Sequence, residues 1–252
     1  MLSAREIFEH ELDKRKIKYK GPDSIGFYKV NTENFEVTIN LENITKNYAR
    51  DKDPEAVIHF IDQSLTRFRT PPWNTAKKLI FFSVEPSDYN FNRSIHYAVT
   101  DSLSKVLVIT DPDEGKITWV TPEMIKEWNV SQSEAEMNAA ENMGGLLKGI
   151  RLEVEQIDDF KLAMIPINSV FKASTIFSPN FKKLALTDVG WPVLVVIPCR
   201  DFIYIIPEKD EALLDKLGGV VQREYRTSGY PITTEVLKIS DDGIKAIGKY
   251  PE

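Results

Sequence analysis

The segment that most constrains the fold of this chain is PVLVVIPCRDFIYIIP, which spans residues 192–207. It contains two apolar runs, residues 193–197 and 202–206, separated by Pro198-Cys-Arg-Asp201. Short apolar runs rich in β-branched and aromatic residues are typical of buried strands. A membrane helix needs about 20 consecutive apolar residues, and the charged residues here break the run well before that length. The segment therefore predicts a buried β-hairpin.

Other local signals predict helices between further hairpins. Ser3 and Glu6 have the spacing of a capping box, as do Ser131 and Glu134, and Asp53-Pro54 is typical of a helix start. Strands are predicted at residues 152–156, 160–165, 235–239 and 244–247, the last two joined by an Asp-Gly turn. Hairpins with intervening amphipathic helices indicate an α+β fold with largely antiparallel sheets.

Two further elements are predicted from residues that favour or stop regular structure. Residues 78–84 have the composition of a strand, and residues 208–217 the pattern of a helix that ends at Gly218. The segment Thr70-Pro-Pro-Trp-Asn-Thr75 contains two adjacent prolines, which cannot continue a helix. We therefore predict a small N-terminal α+β unit at 1–75 and a larger α+β domain at 76–252, built on antiparallel hairpins.

Charge and cysteine content narrow the function classes. The chain has 32 Lys and Arg against 38 Asp and Glu, and the resulting net charge of −6 argues against a dedicated nucleic-acid binder. A single Cys excludes an intramolecular disulfide and a multi-Cys zinc site, and no metal or cofactor is predicted. The charged N-terminus has no apolar signal core, so a cytoplasmic location and no membrane partner are expected.

A basic stretch at residues 14–20, which includes Tyr19, offers a local nucleic-acid alternative. Cations near the end of a helix are also favoured by the helix dipole, and this is the simpler interpretation. Gly144, Gly145 and Gly149 are not predicted to form a phosphate-binding P-loop, because they end a helix instead of opening one and no Gly-Lys-Ser/Thr comes after them.

One candidate for nucleophilic chemistry is Cys199, which precedes Arg200 and Asp201 in the predicted hairpin turn. A neighbouring guanidinium lowers a thiol pKa, but a cysteine enzyme also needs a base. The His residues, His10, His59 and His96, lie far away in the sequence and lack metal-ligand spacing. A structural role for the thiol is the simpler interpretation. The carboxylates of Asp111 and Asp113 are the other candidates for an enzyme site.

Acidic residues cluster in two regions that a basic partner could recognise. The candidate partner-binding residues are Glu134, Glu136, Glu141, Asp158 and Asp159, and Glu153 and Glu155 extend the second cluster. Such clusters are commonly a solvated face, but they also speed the encounter with a positively charged protein.

Three stretches together resemble the bacterial YtpQ-like family of unknown function. They are residues 37–48 with the helix that follows, residues 119–143 with Ala140-Glu141-Asn142-Met143, and residues 193–206. The resemblance implies a cytosolic bacterial α+β protein and carries over no catalytic residue. Cys199 stands at a turn position where the family is expected to have a bulkier residue.

Two function hypotheses follow, and no catalytic motif decides between them. The first is a non-enzymatic protein-interaction module with an acidic surface, of the immunity type in its most specific form. The alternative is an enzyme whose site is assembled from residues distant in the sequence.

Overall fold

The structure is a computed structural model that describes residues 2–24, 26–32, 36–65, 70–91, 93–110 and 117–252. The helices are α1 (Ala4–Lys14), α2 (Glu42–Asp51), α3 (Pro54–Leu65), α4 (Trp73–Leu79), α5 (Pro122–Trp128), α6 (Gln132–Leu146), α7 (Phe181–Asp188) and α8 (Leu214–Thr227). Two short 3-10 helices lie at Ala173–Phe177 and Glu208–Leu213.

The strands form three sheets within the described part of the chain. They are β1 (Lys18–Lys20), β2 (Phe27–Asn31), β3 (Glu36–Asn40), β4 (Ile80–Pro86), β5 (His96–Ala98), β6 (Leu103–Thr110), β7 (Ile117–Trp119), β8 (Glu153–Ile157), β9 (Phe160–Met164), β10 (Val193–Cys199), β11 (Phe202–Pro207), β12 (Glu235–Ser240) and β13 (Gly243–Lys249). Neighbouring strands pair antiparallel. The predicted α+β fold with antiparallel sheets is confirmed.

The chain divides into two compact units. One consists of Met1–Arg69 with Thr227–Tyr230, and the other of Thr70–Arg226 with Pro231–Glu252. The predicted division between residues 75 and 76 would fall inside α4.

The first unit packs helices α1, α2 and α3 with the three-stranded sheet β1-β2-β3. The predicted capping box begins α1, because Ser3 Oγ accepts from the Glu6 backbone N–H and Glu6 Oε2 accepts from the Ser3 N–H at 2.7 Å. The predicted start of α3 is also confirmed, with Asp53 Oδ1 accepting from the Glu55 N–H at 3.0 Å. These contacts satisfy backbone donors that a helix start leaves without intrahelical partners.

The second unit contains a four-stranded sheet and a six-stranded sheet. In the smaller one β4, β6 and β5 are neighbours, and β7 also pairs with β6. The strand predicted at 78–84 is partly wrong, since Lys78 and Leu79 belong to α4 and β4 begins at Ile80. The Asn142 side-chain amide on α6 donates to the carbonyls of Lys77 and Ile80, which fixes this helix-to-strand junction.

The larger sheet has the strand order β13-β12-β10-β11-β9-β8. The predicted apolar hairpin is confirmed as β10 and β11 at its centre, where Val195 pairs with Ile205. Helix α8 and the 3-10 helix Glu208–Leu213 pack on one face of this sheet. Helix α7 and the 3-10 helix Ala173–Phe177 pack on the other face. Alternate residues of the hairpin thus enter two different cores, which explains why both arms are apolar.

The helix predicted at 208–217 is wrong in its extent. A 3-10 helix occupies Glu208–Leu213, and α8 then runs from Leu214 through Gly218 and Gly219 to Thr227. Burial of Leu217 and Val221 continues the helix past the glycines. The Tyr250 ring lies against Gly218, where an added Cβ would be 3.3 Å from a ring carbon, while nothing lies within 4 Å of a Cβ at Gly219. Gly218 therefore gives room to an aromatic ring and does not end the helix.

The two glycines provide a matched test of this explanation. We expect Gly219→Ala to raise the free energy of unfolding by about 0.5–1 kcal/mol, because it removes glycine's backbone entropy in an open helical position. Gly218→Ala should raise the free energy of unfolding by less, because the added Cβ crowds the Tyr250 ring. Urea unfolding of both variants measures the difference. Equal gains would contradict the packing role of Gly218.

Candidate functional site

The predicted thiol candidate lies at the turn of the central hairpin. Cys199 ends β10 and is 5% exposed. It pairs with Phe202 on β11 and forms an isolated bridge with Pro231. Asp201 is exposed at the turn. The burial of Cys199 favours a structural role, because a reactive cysteine needs access to its substrate.

Arg200, between these two residues, forms a buried ion pair with Glu85 on β4. Its Nη2 lies 3.2 and 3.3 Å from the two carboxylate oxygens of Glu85, whose side chain is only 2% exposed. Ser83 Oγ donates to the same carboxylate at 2.5 Å. A buried carboxylate is costly unless it is paired and hydrogen-bonded. The guanidinium therefore compensates a buried charge and connects the turn of the larger sheet to β4 of the smaller sheet.

The first predicted acidic cluster, on α6, is mostly engaged in contacts within its own unit. Glu134 accepts a hydrogen bond from Trp73 Nε1 at 3.2 Å. Glu136 accepts from the Tyr97 hydroxyl and from Gln132 Nε2, and the hydrogen bond to Glu136 raises the pKa of Tyr97. Glu141, by contrast, is exposed. Glu134 and Glu136 therefore fasten α6 to its neighbours.

The second predicted acidic cluster lies on β8 and the turn after it. Asp158 and Asp159 are exposed, and Lys216 Nζ is 2.6 Å from Asp158 Oδ2. The hydrogen bond from Lys216 lowers the pKa of Asp158. Glu153 and Glu155 precede this turn and are exposed. The structure thus places the acids at 153–159 on one hairpin, joined by a two-residue turn.

Strand β8 is one of the two outer strands of the six-stranded sheet, with β13 at the other end, and it pairs only with β9 among the described strands. Its first four residues are exposed, including Val154 at 41%. Helices cover the central strands of the sheet, and of β8 only Ile157 packs against a core in the part of the chain that the structure describes. An exposed outer strand presents backbone N–H and C=O groups that a further strand can pair with.

The direction of these groups follows from the strand register. Gln156 lies opposite Lys161 on β9, yet the Lys161 N–H donates to Asp210 Oδ2 at 2.9 Å. Gln156 and Lys161 are therefore a non-hydrogen-bonded pair of the ladder. Two residues along, Val154 and Ala163 are a pair of the same kind. The backbone groups of Val154 and Gln156 consequently point away from β9, towards the open edge.

The side chains of β8 separate onto two faces. Glu155 lies opposite Leu162, which belongs to the core under α8, so Glu155 and Glu153 lie on the α8 face. Burial raises the pKa of Tyr204 on this face, and the negative charge of Glu155 adds to the shift. Val154 lies opposite Ala163 of the other core and is on the opposite face. The edge is thus acidic on one face and partly apolar on the other.

A cavity of about 620 Å³ lies beside β7 in the second unit and was not predicted from the sequence. Its described lining is polar and aromatic and consists of Asn90, Arg93, Ser94, Ile117, Thr118, Trp119 and Thr121. The Phe91 ring packs against Trp119 of this lining, with the ring centroids 4.8 Å apart. None of these lining residues is a Cys, His, Asp or Glu, so the described wall does not bring together an acid–base pair. Asp111 and Asp113 lie outside the described residues.

The remaining candidate groups are dispersed. His10, His59 and His96 are exposed on different elements. Lys14 and Arg15 pair with Glu11, while Lys18 and Lys20 are exposed on β1. In the described part of the chain, no group of three or more His, Cys, Asp or Glu could hold a metal ion. No described helix is both long and apolar enough to cross a membrane.

Comparison with family models, curated proteins and solved structures finds no match to this chain. The resemblance to the YtpQ-like family therefore stays a prediction. The site is accordingly defined by its own geometry, which is an exposed outer strand carrying Glu153 and Glu155.

The ion pair at the hairpin turn gives a stability prediction. We expect Arg200→Met to lower the free energy of unfolding by about 3–5 kcal/mol, because it leaves Glu85 buried without its cation. Arg223→Met is the control, because Arg223 pairs with Glu224 at the surface and such pairs contribute at most about 1 kcal/mol. Urea unfolding measures both variants.

A second variant separates charge from packing. Adding Glu85→Gln to Arg200→Met removes the unpaired charge, so the double variant should be more stable than Arg200→Met alone. If the loss of unfolding free energy in the double variant instead equals the sum of the losses in the two single variants, the proposed compensation of Glu85 by Arg200 is wrong.

Proposed function

We propose that this chain is a protein-interaction module that binds a basic partner along the open edge of β8. The observation that carries the proposal is the exposure of an outer strand whose outward backbone groups, which pair with no other described strand, lie beside Glu153 and Glu155. We therefore assign recognition of the basic partner to the second acidic cluster. The first cluster is a weaker candidate because Glu134 and Glu136 bind groups of their own unit.

The geometry defines the kind of partner segment that fits. An extended segment can add to the sheet as a further strand and hydrogen-bond with the outward N–H and C=O groups of Val154 and Gln156. Alternate side chains of that segment face the α8 side, where Glu153 and Glu155 favour Lys or Arg. The intervening side chains face the side of Val154, which favours apolar residues. The best segment therefore alternates basic and apolar residues.

The acidic side chains also determine which strands are rejected. Charged residues on an outer strand disfavour pairing with like-charged strands, including the same strand of a second molecule. The same acidic side chains instead attract a basic strand. The net charge of −6 adds long-range attraction for a basic protein, and salt weakens this attraction.

In its most specific form, the proposal is that the module neutralises a basic protein, as an immunity-type partner does. We place this interaction in the cytoplasm, because a single buried Cys suits a reducing compartment. The enzyme alternative is less favoured, since the thiol candidate is buried and its neighbour Arg200 binds Glu85.

A defined probe tests the proposal. A fluorescently labelled peptide of alternating lysine and valine should bind the full chain at low salt, as measured by fluorescence anisotropy. We expect Glu153→Lys with Glu155→Lys to weaken binding at least about tenfold, because the change reverses the charge at the edge. Equal binding by this double variant would contradict the proposal.

Two controls separate the site from overall charge and from the fold. Glu127→Lys with Glu141→Lys makes the same charge change at exposed helical positions and should retain most of the binding. If this variant loses as much affinity as the β8 variant, binding reflects net charge or the α6 cluster and the site is wrong. Thermal unfolding of each variant shows that the fold persists.

Val154→Pro tests strand addition without changing charge. It removes a backbone N–H that faces the open edge, where proline is tolerated, and should abolish peptide binding while the chain stays folded. Glu155→Pro should instead destabilise the fold, because the Glu155 N–H faces β9. Full peptide binding by a folded Val154→Pro variant would contradict strand addition.

A further inference from the structure

Two neighbouring cavities lie beside α7, and no residue of β8 lines either of them. The first has a volume of about 350 Å³, and its polar and charged lining includes Lys148, Arg151, Asn180, Lys183 and Thr187. The second, of about 390 Å³, is lined by Lys182, Lys183 and Thr187 together with apolar residues. The two cavities share Lys183 and Thr187 and therefore form adjoining parts of one concave surface. The volume of the first lies within the range of small-molecule sites, about 300–1,000 Å³, and the second is a shallow, open depression that extends it.

The surface around these cavities is positively charged, although the chain as a whole is acidic. Arg151 Nη1 is 2.8 Å from Asp188, and Lys182 Nζ is 2.5 Å from Asp241. Lys148 and Lys183 have no carboxylate within 4.0 Å among the described residues, and both are exposed. Two positive charges thus remain uncompensated by ion pairs at the shared rim, and a concave surface focuses their field.

The backbone adds to this preference for an anion. The first cavity runs along α7 from Asn180 at its N-cap to Thr187 in its last turn; no side chain caps the N-terminus, where the Phe181 N–H donates to Ser178 O at 3.0 Å. The N-terminal end of a helix carries partial positive charge. Gly149 lines the same cavity with φ +77°, and nothing lies within 4 Å of the position that a Cβ would take. A ligand can therefore approach the main chain closely at this point.

The C-terminal end of α6 also reaches the first cavity and would oppose an anion. Its carbonyls are partly occupied, however, because Gly144 O accepts from Asn180 Nδ2 at 2.9 Å and Gly145 O accepts from the Lys148 N–H. Asp188 is likewise engaged, since its Oδ2 accepts from the Leu152 N–H at 2.8 Å. The exposed cations are thus the dominant charged groups of this surface.

We propose that this surface binds a small phosphate-bearing molecule. Lys148 and Lys183 would hold the phosphate group, with Arg151 oriented beside them by Asp188. The apolar side chains of Leu147, Ile150 and Leu184 line the same cavity and would contact the organic part of the ligand. The site differs from a P-loop, because its glycine follows one helix and its cations come from two segments.

Titration of the isotope-labelled full chain tests the site by amide NMR. The probes are inorganic phosphate and phenyl phosphate, each at constant ionic strength balanced with chloride. We expect saturable shifts confined to residues 147–151 and 180–187, with phenyl phosphate binding more tightly because it also contacts the apolar wall. Equal affinity for the two probes would overturn the assignment of an organic phosphate.

Matched charge variants complete the test. Lys183→Met should weaken phenyl phosphate binding about tenfold. Lys245→Met removes an exposed Lys from β13 and should leave the affinity unchanged. Shifts spread over many Lys and Arg residues, or equal losses in both variants, would show general attraction of anions and overturn the site. Because these probes do not involve β8, failure here is distinguishable from failure of the proposed partner binding.

Discussion

The central hairpin of β10 and β11 is the constraint on which the second unit depends. Every residue of β10 is buried, so the sheet must be covered on both faces. Helix α8 covers one face, and α7 with a 3-10 helix covers the other. At the turn, Arg200 compensates the buried Glu85 and joins the hairpin to β4. Apolar burial thus fixes the position of the larger sheet, and its link to the smaller sheet includes this ion pair and a shared apolar core with Val84 of β4 and Leu103 of β6.

The candidate site follows from where this coverage ends. The helices cover the central strands, and β8 lies beyond them at the edge of the sheet. Ile157 at the end of β8 packs against the core under α8, while residues 153–156 are exposed, so polar side chains can occupy both faces of that part of the strand. It also retains outward backbone groups, which is the physical basis for strand addition. The anion-binding surface beside α7 uses cations from outside β8, and Arg151, the nearest of them in sequence, lies two residues before Glu153.

The sequence predicted the features that depend on local chemistry. The capping box at Ser3, the helix start at Pro54 and the apolar hairpin are encoded by short patterns, and the structure confirms them. The predicted end of the helix at Gly218 was wrong, because this glycine makes room for the ring of Tyr250, which is distant in the sequence. Helices α2, α4 and α7 were missed, and α4 follows directly after the prolines that were interpreted as a boundary.

The candidate site was only partly predictable, for a similar reason. The sequence shows acidic residues but not which of them bind neighbouring groups, so Glu134 and Glu136 were grouped with Asp158 and Asp159. Strand order decides that β8 is an outer strand, and it depends on pairings between distant residues. One local signal was present, because the polar residues of EVEQI at 153–157 occupy both faces of the strand. The cavities combine residues from separate segments and have no short sequence pattern.

The most direct test of strand addition is residue-resolved amide hydrogen exchange of the full chain, alone and with the lysine–valine peptide bound. The account predicts that the amides of Val154 and Gln156 exchange rapidly in the free chain, while those of Glu155 and Ile157 exchange more slowly. Binding should then protect Val154 and Gln156. If both amides stay rapidly exchanging in a saturated complex, the partner does not add to β8 and the central claim is wrong.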